Sequence, residues 1–107
     1  MAGLNCGTPS LVAWPFIRAG FDLFMSISDN YAIRAMKQFH EPEPGDTPII
    51  SGESGAAGLA ALLALLTDPA LLEARLQINV GPQSRILLLN TEGDTDPVNY
   101  KRLVGLT

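Results

Sequence analysis

The stretch from Gly55 to Thr67, GAAGLAALLALLT, constrains this chain more than any other feature, because alanine and leucine occupy every face of the helix it encodes. A helix without a polar side predicts burial between layers rather than a place on the surface. Its apolar run, Ala56 to Leu66, falls short of the roughly 20 residues that cross a bilayer, so the cover has to come from protein. At 107 residues the chain is one domain's worth of polymer, and a domain of this size buries roughly two thirds of its unfolded surface.

The flanking segments offer candidates for those layers. Met1 to Pro9 is punctuated by Gly3, Gly7 and Pro9 and reads as a loop. Ser10 then caps a short helix that closes at Gly20, with Pro15 delaying or kinking its start. Phe21 to Ser28 mixes apolar and small polar residues in the manner of a strand, and Asp29 caps a helix over NYAIRAMKQF. The connection HEPEPGDT follows, and Pro48 to Ser51 returns to the apolar interior. Beyond the alanine and leucine helix, Asp68 and Pro69 start another that ends before Gly81 and Pro82. RILLL, Arg85 to Leu89, is short and uniformly apolar, as a central parallel strand covered on both faces would be. Asp96 and Pro97 open the last helix, VNYKRLV. Helices alternating with two or three buried strands predict an α/β fold, a partial three-layer sandwich around a small, mostly parallel sheet. So narrow a sheet implies missing neighbours.

Composition excludes several classes of function. The net charge is −4, and the seven lysines and arginines are scattered, so nothing tracks a nucleic-acid backbone. Cys6 is the only cysteine, which rules out an intrachain disulfide, supplies no zinc ligand set and fits a reducing cytoplasm. No basic-then-apolar signal pattern opens the chain, and no partner membrane is expected.

Two polar segments stand where chemistry is expected. The first, NTEGDTD, leaves the end of the predicted strand RILLL, where open α/β sheets bind ligands, and makes Asn90 and Thr91 candidate binding residues. On local chemistry alone the favoured reading is the plainer one, in which Asn90 and Asp94 shape a glycine turn while Asp96 caps a helix. The second, ISGESGA, turns into the apolar helix. A helix start with glycines attracts anions, but Glu53 repels a phosphate, so this carboxylate faces a cationic or hydrogen-bonding group or simply complements the helix dipole. Asp94 and Asp96 are too few ligands for a metal site, and no dinucleotide or phosphate-loop fingerprint occurs. Cys6 has no histidine partner in view, because His40 ends a different helix. Trp14, Phe16, Phe21 and Phe24 read as core aromatics.

Taken in order, MAGLNCGTPS, ISGESGA and NTEGDTDP resemble the C-terminal part of the pyridoxal-phosphate fold type II lyases, and among them the diaminopropionate ammonia-lyase family most. The resemblance runs over nearly the whole of residues 1–107. It implies a parent enzyme that eliminates ammonia from 2,3-diaminopropionate to give pyruvate, using the cofactor ring as an electron sink. It places Asn90 at the pyridine nitrogen, where the family usually has serine, with Thr91 and Glu53 near the ring and Asn5 facing substrate. The Schiff-base lysine, catalytic aspartates and phosphate cradle of the family belong to segments N-terminal to this one. No catalytic residue is therefore expected here, and Lys37 and Lys101 lie in helical patterns without the matching context. The implied parent is a cytoplasmic homodimer, and Met1 corresponds to an internal methionine. The rival is a stand-alone small-molecule-binding or regulatory domain that kept the scaffold without the chemistry.

Overall fold

The computed structural model describes residues 4–106. Met1, Ala2 and Gly3, which open the predicted loop and include the methionine assigned to the interior of a parent, lie outside the described residues, as does Thr107. Within them the chain forms α1 (Trp14–Gly20), α2 (Asp29–His40), α3 (Glu53–Thr67), α4 (Leu72–Gln77) and α5 (Pro97–Val104), with a 3-10 turn at Pro69–Leu71.

Local chemistry accounts for these boundaries. Pro15 sits in the first turn of α1, so the helix starts late, and Ser10 Oγ accepts the Ala13 N–H in the turn before it. Asp29, expected as a cap, is instead the first residue of α2, with Ser28 at the capping position. Asp68 accepts from Ala70 N and Asp96 from Asn99 N, each ahead of a proline that begins a helical turn. Gly105 ends α5 in the left-handed conformation at φ 91°, where its N–H and that of Leu106 both reach the Lys101 carbonyl.

The core is built by repetition of one spacing. Ala32, Ala35 and Met36 from α2, Ala56, Leu59 and Ala60 from α3, and Tyr100, Leu103 and Val104 from α5 form one buried cluster. Each helix contributes positions i, i+3 and i+4, the stripe that one face presents. Alanine on α2 and α3 lets those two helices approach closely, and α5 packs against α2. The exposed side of α3 is real but narrow: Leu66 is 44% exposed, while Ala64 and Leu65 are buried.

No strand is formed among the described residues, and the predicted α/β sandwich with its parallel sheet is not the fold. Phe21 to Ser28, Pro48 to Ser51 and Arg85 to Leu89 all lack ladder pairing. Just beyond the last two of them, a backbone bond runs from Gly52 N–H to the Glu92 carbonyl at 2.9 Å. Strands gain stability from paired neighbours and from a buried face; RILLL has no pairing, and only Leu88 packs on the core while Ile86, Leu87 and Leu89 are 46%, 84% and 72% exposed. The apolar β-type composition was the correct observation; the inference of pairing failed because pairing is not local. The aromatic residues expected in the core are likewise outside it. Trp14, Phe16, Phe21 and Phe24 are exposed, with Phe21 stacked on Phe24 at 5.8 Å and Trp14 6.5 Å from Phe24. No single helix among the described residues is long and apolar enough to cross a membrane.

Candidate functional site

ISGESGA, which runs into the start of α3, and NTEGDTD, which lies beyond α4, fold against each other. Gly52 and Gly55 make this possible. A Cβ on Gly55 would lie against Asn90 Oδ1, within 2.6 Å of the Glu92 carbonyl and 2.7 Å of Ser51 Oγ; one on Gly52 would meet the Gly93 carbonyl. Only hydrogen fits at either position.

The contact is polar throughout. Ser51 Oγ donates to Asn90 Oδ1 at 3.0 Å, and Asn90 Nδ2 donates to the Ile50 carbonyl at 3.3 Å. Glu92 N–H also reaches Asn90 Oδ1, at 3.4 Å. The Glu92 carboxylate accepts the Ser54 N–H at 2.9 Å and the Thr95 hydroxyl at 2.8 Å. These bonds hold it below the ordinary glutamate pKa, the Ser54 backbone bond contributing most. Glu53 Oε1 accepts from Asn99 Nδ2 at 3.2 Å, and Asn99 Oδ1 accepts from Arg102 at 2.6 Å, which links α3 to α5.

Beside this clasp lies a cleft of about 330 Å³, lined by Met36, Gly52, Glu53, residues 92–96, Asn99 and Tyr100. Tyr100 closes one side; its hydroxyl lies 3.1 Å from His40 Nδ1, and the rings meet edge to face at 5.9 Å. Burial, reinforced by the charge of Asp94, raises the Tyr100 pKa above its ordinary value. Glu53, Glu92, Asp94 and Asp96 make the lining acidic. Among the described residues no group of three or more His, Cys, Asp or Glu is arranged to hold a metal ion.

The residues singled out in the sequence fall in different places. Glu53 lines the cleft as the first residue of α3. Asn90 lies in the clasp, just outside the cleft lining, and Thr91 is exposed next to it. Asn5 and Cys6 are exposed in the segment before α1 and do not line the cleft. Sequence reasoning passed over Ser51, Glu92, Asn99 and the His40–Tyr100 pair. Glu92 carried a usable signal, an acid one residue before a glycine and three before a threonine; the others meet their partners only through tertiary packing.

Pyridoxal phosphate needs an attaching amine, donors for its phosphate and a partner for its ring nitrogen. Lys37 and Lys101 are exposed on α2 and α5 and do not line the cleft. The amino end of α3, where a phosphate would otherwise bind, holds the Glu92 carboxylate. The ring-nitrogen requirement alone is met, because Asn90 Nδ2 keeps a second proton beyond the one given to Ile50.

These features define a helical unit in which two glycine-bearing polar motifs are joined beside an acidic cleft. Its homologues are diaminopropionate ammonia-lyases. The chain is 40% identical to that of Salmonella typhimurium over 105 residues, which cover 97% of this chain and 26% of the relative. It is also similar to the solved structure of the Escherichia coli enzyme with D-serine, with a TM-score of 0.85, 36% identity and 97% of this chain covered against 27% of that one. The same enzyme in complex with an aminoacrylate-PLP azomethine reaction intermediate gives 0.86 at 36% identity, over 97% of this chain and 28% of that one. The chain thus spans about a quarter of the length of these relatives. No family model matches it.

Proposed function

We propose that this chain is the C-terminal part of a diaminopropionate ammonia-lyase and supplies one wall of its cofactor pocket. The joining of ISGESGA to NTEGDTD carries the reading, since it brings Asn90 and Glu53, distant in sequence, to one side of the molecule. Bound pyridoxal phosphate supplies the electron sink for α,β-elimination of 2,3-diaminopropionate to pyruvate and ammonia. The chain's own residues hold and orient. Asn90 donates to the ring nitrogen, Thr91 lies beside it, Glu53 adds negative charge near the ring, and Asn5 faces the amino-acid substrate. The attaching lysine and the phosphate donors come from outside these residues, consistent with an acidic cleft that offers a phosphate no partner. The parent is a cytoplasmic homodimer, a setting that suits an exposed, unpaired Cys6.

A chimera provides the test. This chain replaces the matching segment of the Salmonella typhimurium relative, and pyruvate and ammonia release from 2,3-diaminopropionate is measured. Activity within about tenfold of the relative is expected, a loss of no more than about 1.4 kcal/mol in transition-state stabilisation. A chimera that folds and takes up cofactor yet releases neither product overturns the reading.

A further inference from the structure

We infer that Ser51 is a positioning residue, whose buried hydroxyl anchors the Asn90 amide in the orientation that its backbone partners select, so that Asn90 offers a ligand a donor and no acceptor. Ser51 is fully buried although it is polar, and its hydroxyl lies 3.0 Å from Asn90 Oδ1. It also lies 3.3 Å from the Gly52 carbonyl, but one hydroxyl carries one proton, and the shorter contact is to Asn90.

The orientation of an asparagine amide has to be settled by its partners. Here two backbone groups settle it. Glu92 N–H can only donate, so the atom facing it is the oxygen; the Ile50 carbonyl can only accept, so the atom facing it is the nitrogen. Turning the amide over would set donor against donor and acceptor against acceptor. Both backbone bonds are long, at 3.4 and 3.3 Å, and the Ser51 bond is the shortest of the three. The oxygen is consumed by Ser51 and Glu92. Of the two Nδ2 protons, one goes to Ile50 and the other has no partner among the described residues.

A ligand at this edge therefore has to bring an unshared pair. For the lyase reading, on which this part of the inference rests, that means a heteroaromatic nitrogen without a proton. A protonated ring nitrogen would place its N–H against the amide N–H.

The test uses the isotope-labelled chain and needs no turnover. Hydrogen exchange at the Asn90 side-chain amide is followed by NMR in the wild type, Ser51→Ala and Ser51→Cys. Exchange about tenfold faster is expected for Ser51→Ala, with an intermediate rate for Ser51→Cys, whose thiol keeps the size and part of the donor strength. The cysteine variant carries the comparison by itself if the alanine variant does not fold. Wild-type rates in every folded variant overturn the positioning role, whatever the activity of the chimera. Conversely, an inactive chimera with these rate changes intact sinks the lyase reading and leaves the positioning role standing. Polarity is read on the same resonance with pyridine and N-methylpyridinium as probes. Pyridine alone is expected to shift it, and equal shifts, or none from either probe, overturn the donor assignment.

Discussion

Glu92 accepts the backbone N–H of Ser54 at 2.9 Å, so a carboxylate delivered from 38 residues away sits at the amino end of α3. The first N–H groups of a helix have no internal partner, and the helix dipole favours negative charge there. Glu92 satisfies one of those donors while Thr95 holds its other oxygen. The same contact ties the cleft rim to the core helix.

Glu92→Gln is expected to lower stability by about 1 kcal/mol, the scale of a helix-end charge with its hydrogen bond. Its pKa is lowered on folding, so its contribution is complete above the ordinary value of 4.5 and fades as pH falls through the folded value. Urea melts of wild type and variant at neutral pH and again in mild acid check this. The gap between the two proteins is expected to narrow in acid.

A pair of glycines on α3 separates close approach from mere helix propensity. Gly55→Ala drives a Cβ toward Asn90, the Glu92 carbonyl and Ser51, and backbone cannot yield cheaply, so a loss of about 2 kcal/mol is expected. At Gly58 the nearest contact is the end of the Leu88 side chain at 3.4 Å, so Gly58→Ala is expected to gain up to about 1 kcal/mol. Thermal unfolding of both variants decides. Equal effects would mean that the two motifs do not press together at Gly55.

Tyr100 provides a spectroscopic check on the cleft. Its phenol is buried against α2 beside Asp94, so its ionisation is expected above the ordinary value of 10.0, and Asp94→Asn is expected to bring it partway back. A raised folded value means that the stability Tyr100 contributes is complete below that ordinary value and is lost as pH rises through the folded one. Absorbance titration of tyrosinate in the wild type, Tyr100→Phe and Asp94→Asn isolates this group.

These contacts mark the limit of what the residue order reveals. The helices at Trp14, Glu53 and Pro97 were legible because their signals are local: prolines in the first turns of the first and last, Asp96 as a cap and the alanine and leucine run of α3. RILLL misled because a short apolar run specifies burial without saying by what, and pairing partners are a property of the whole fold. At the site, Asn90 and Glu53 could be named as polar residues in glycine-bearing segments. Ser51, Asn99 and Tyr100 could not, since each matters through a residue 39, 46 or 60 positions away.

The chain alone is expected not to take up pyridoxal phosphate covalently. Lys37 and Lys101 are exposed and do not line the cleft, and the lining is acidic where a phosphate would need donors. Absorption spectra of the purified chain with added cofactor test this. A stoichiometric band that vanishes on changing either lysine would show that the chain carries a complete attachment site of its own.

The sharpest prediction concerns Asn90 in the chimera with the Salmonella relative, where the amide is proposed to meet the ring nitrogen. Asn90→Ser keeps a neutral donor but is too short to hold Ile50 and the ring together, so the smallest loss is expected, about tenfold or less in elimination rate. Asn90→Asp still accepts from Ser51 with one oxygen, but its second oxygen, in place of Nδ2, is set against the Ile50 carbonyl and toward the ring. That charge favours a protonated ring nitrogen and is expected to change the cofactor's absorption as well as the rate. Asn90→Ala removes the donor and the three bonds that Asn90 makes in the clasp, with a loss of about 1 to 3 kcal/mol. Because the clasp also carries stability, the three variants have to be compared at temperatures where each is equally folded. If all three then match the wild type in absorption and rate, Asn90 shapes the turn before Glu92 and has no contact with the cofactor.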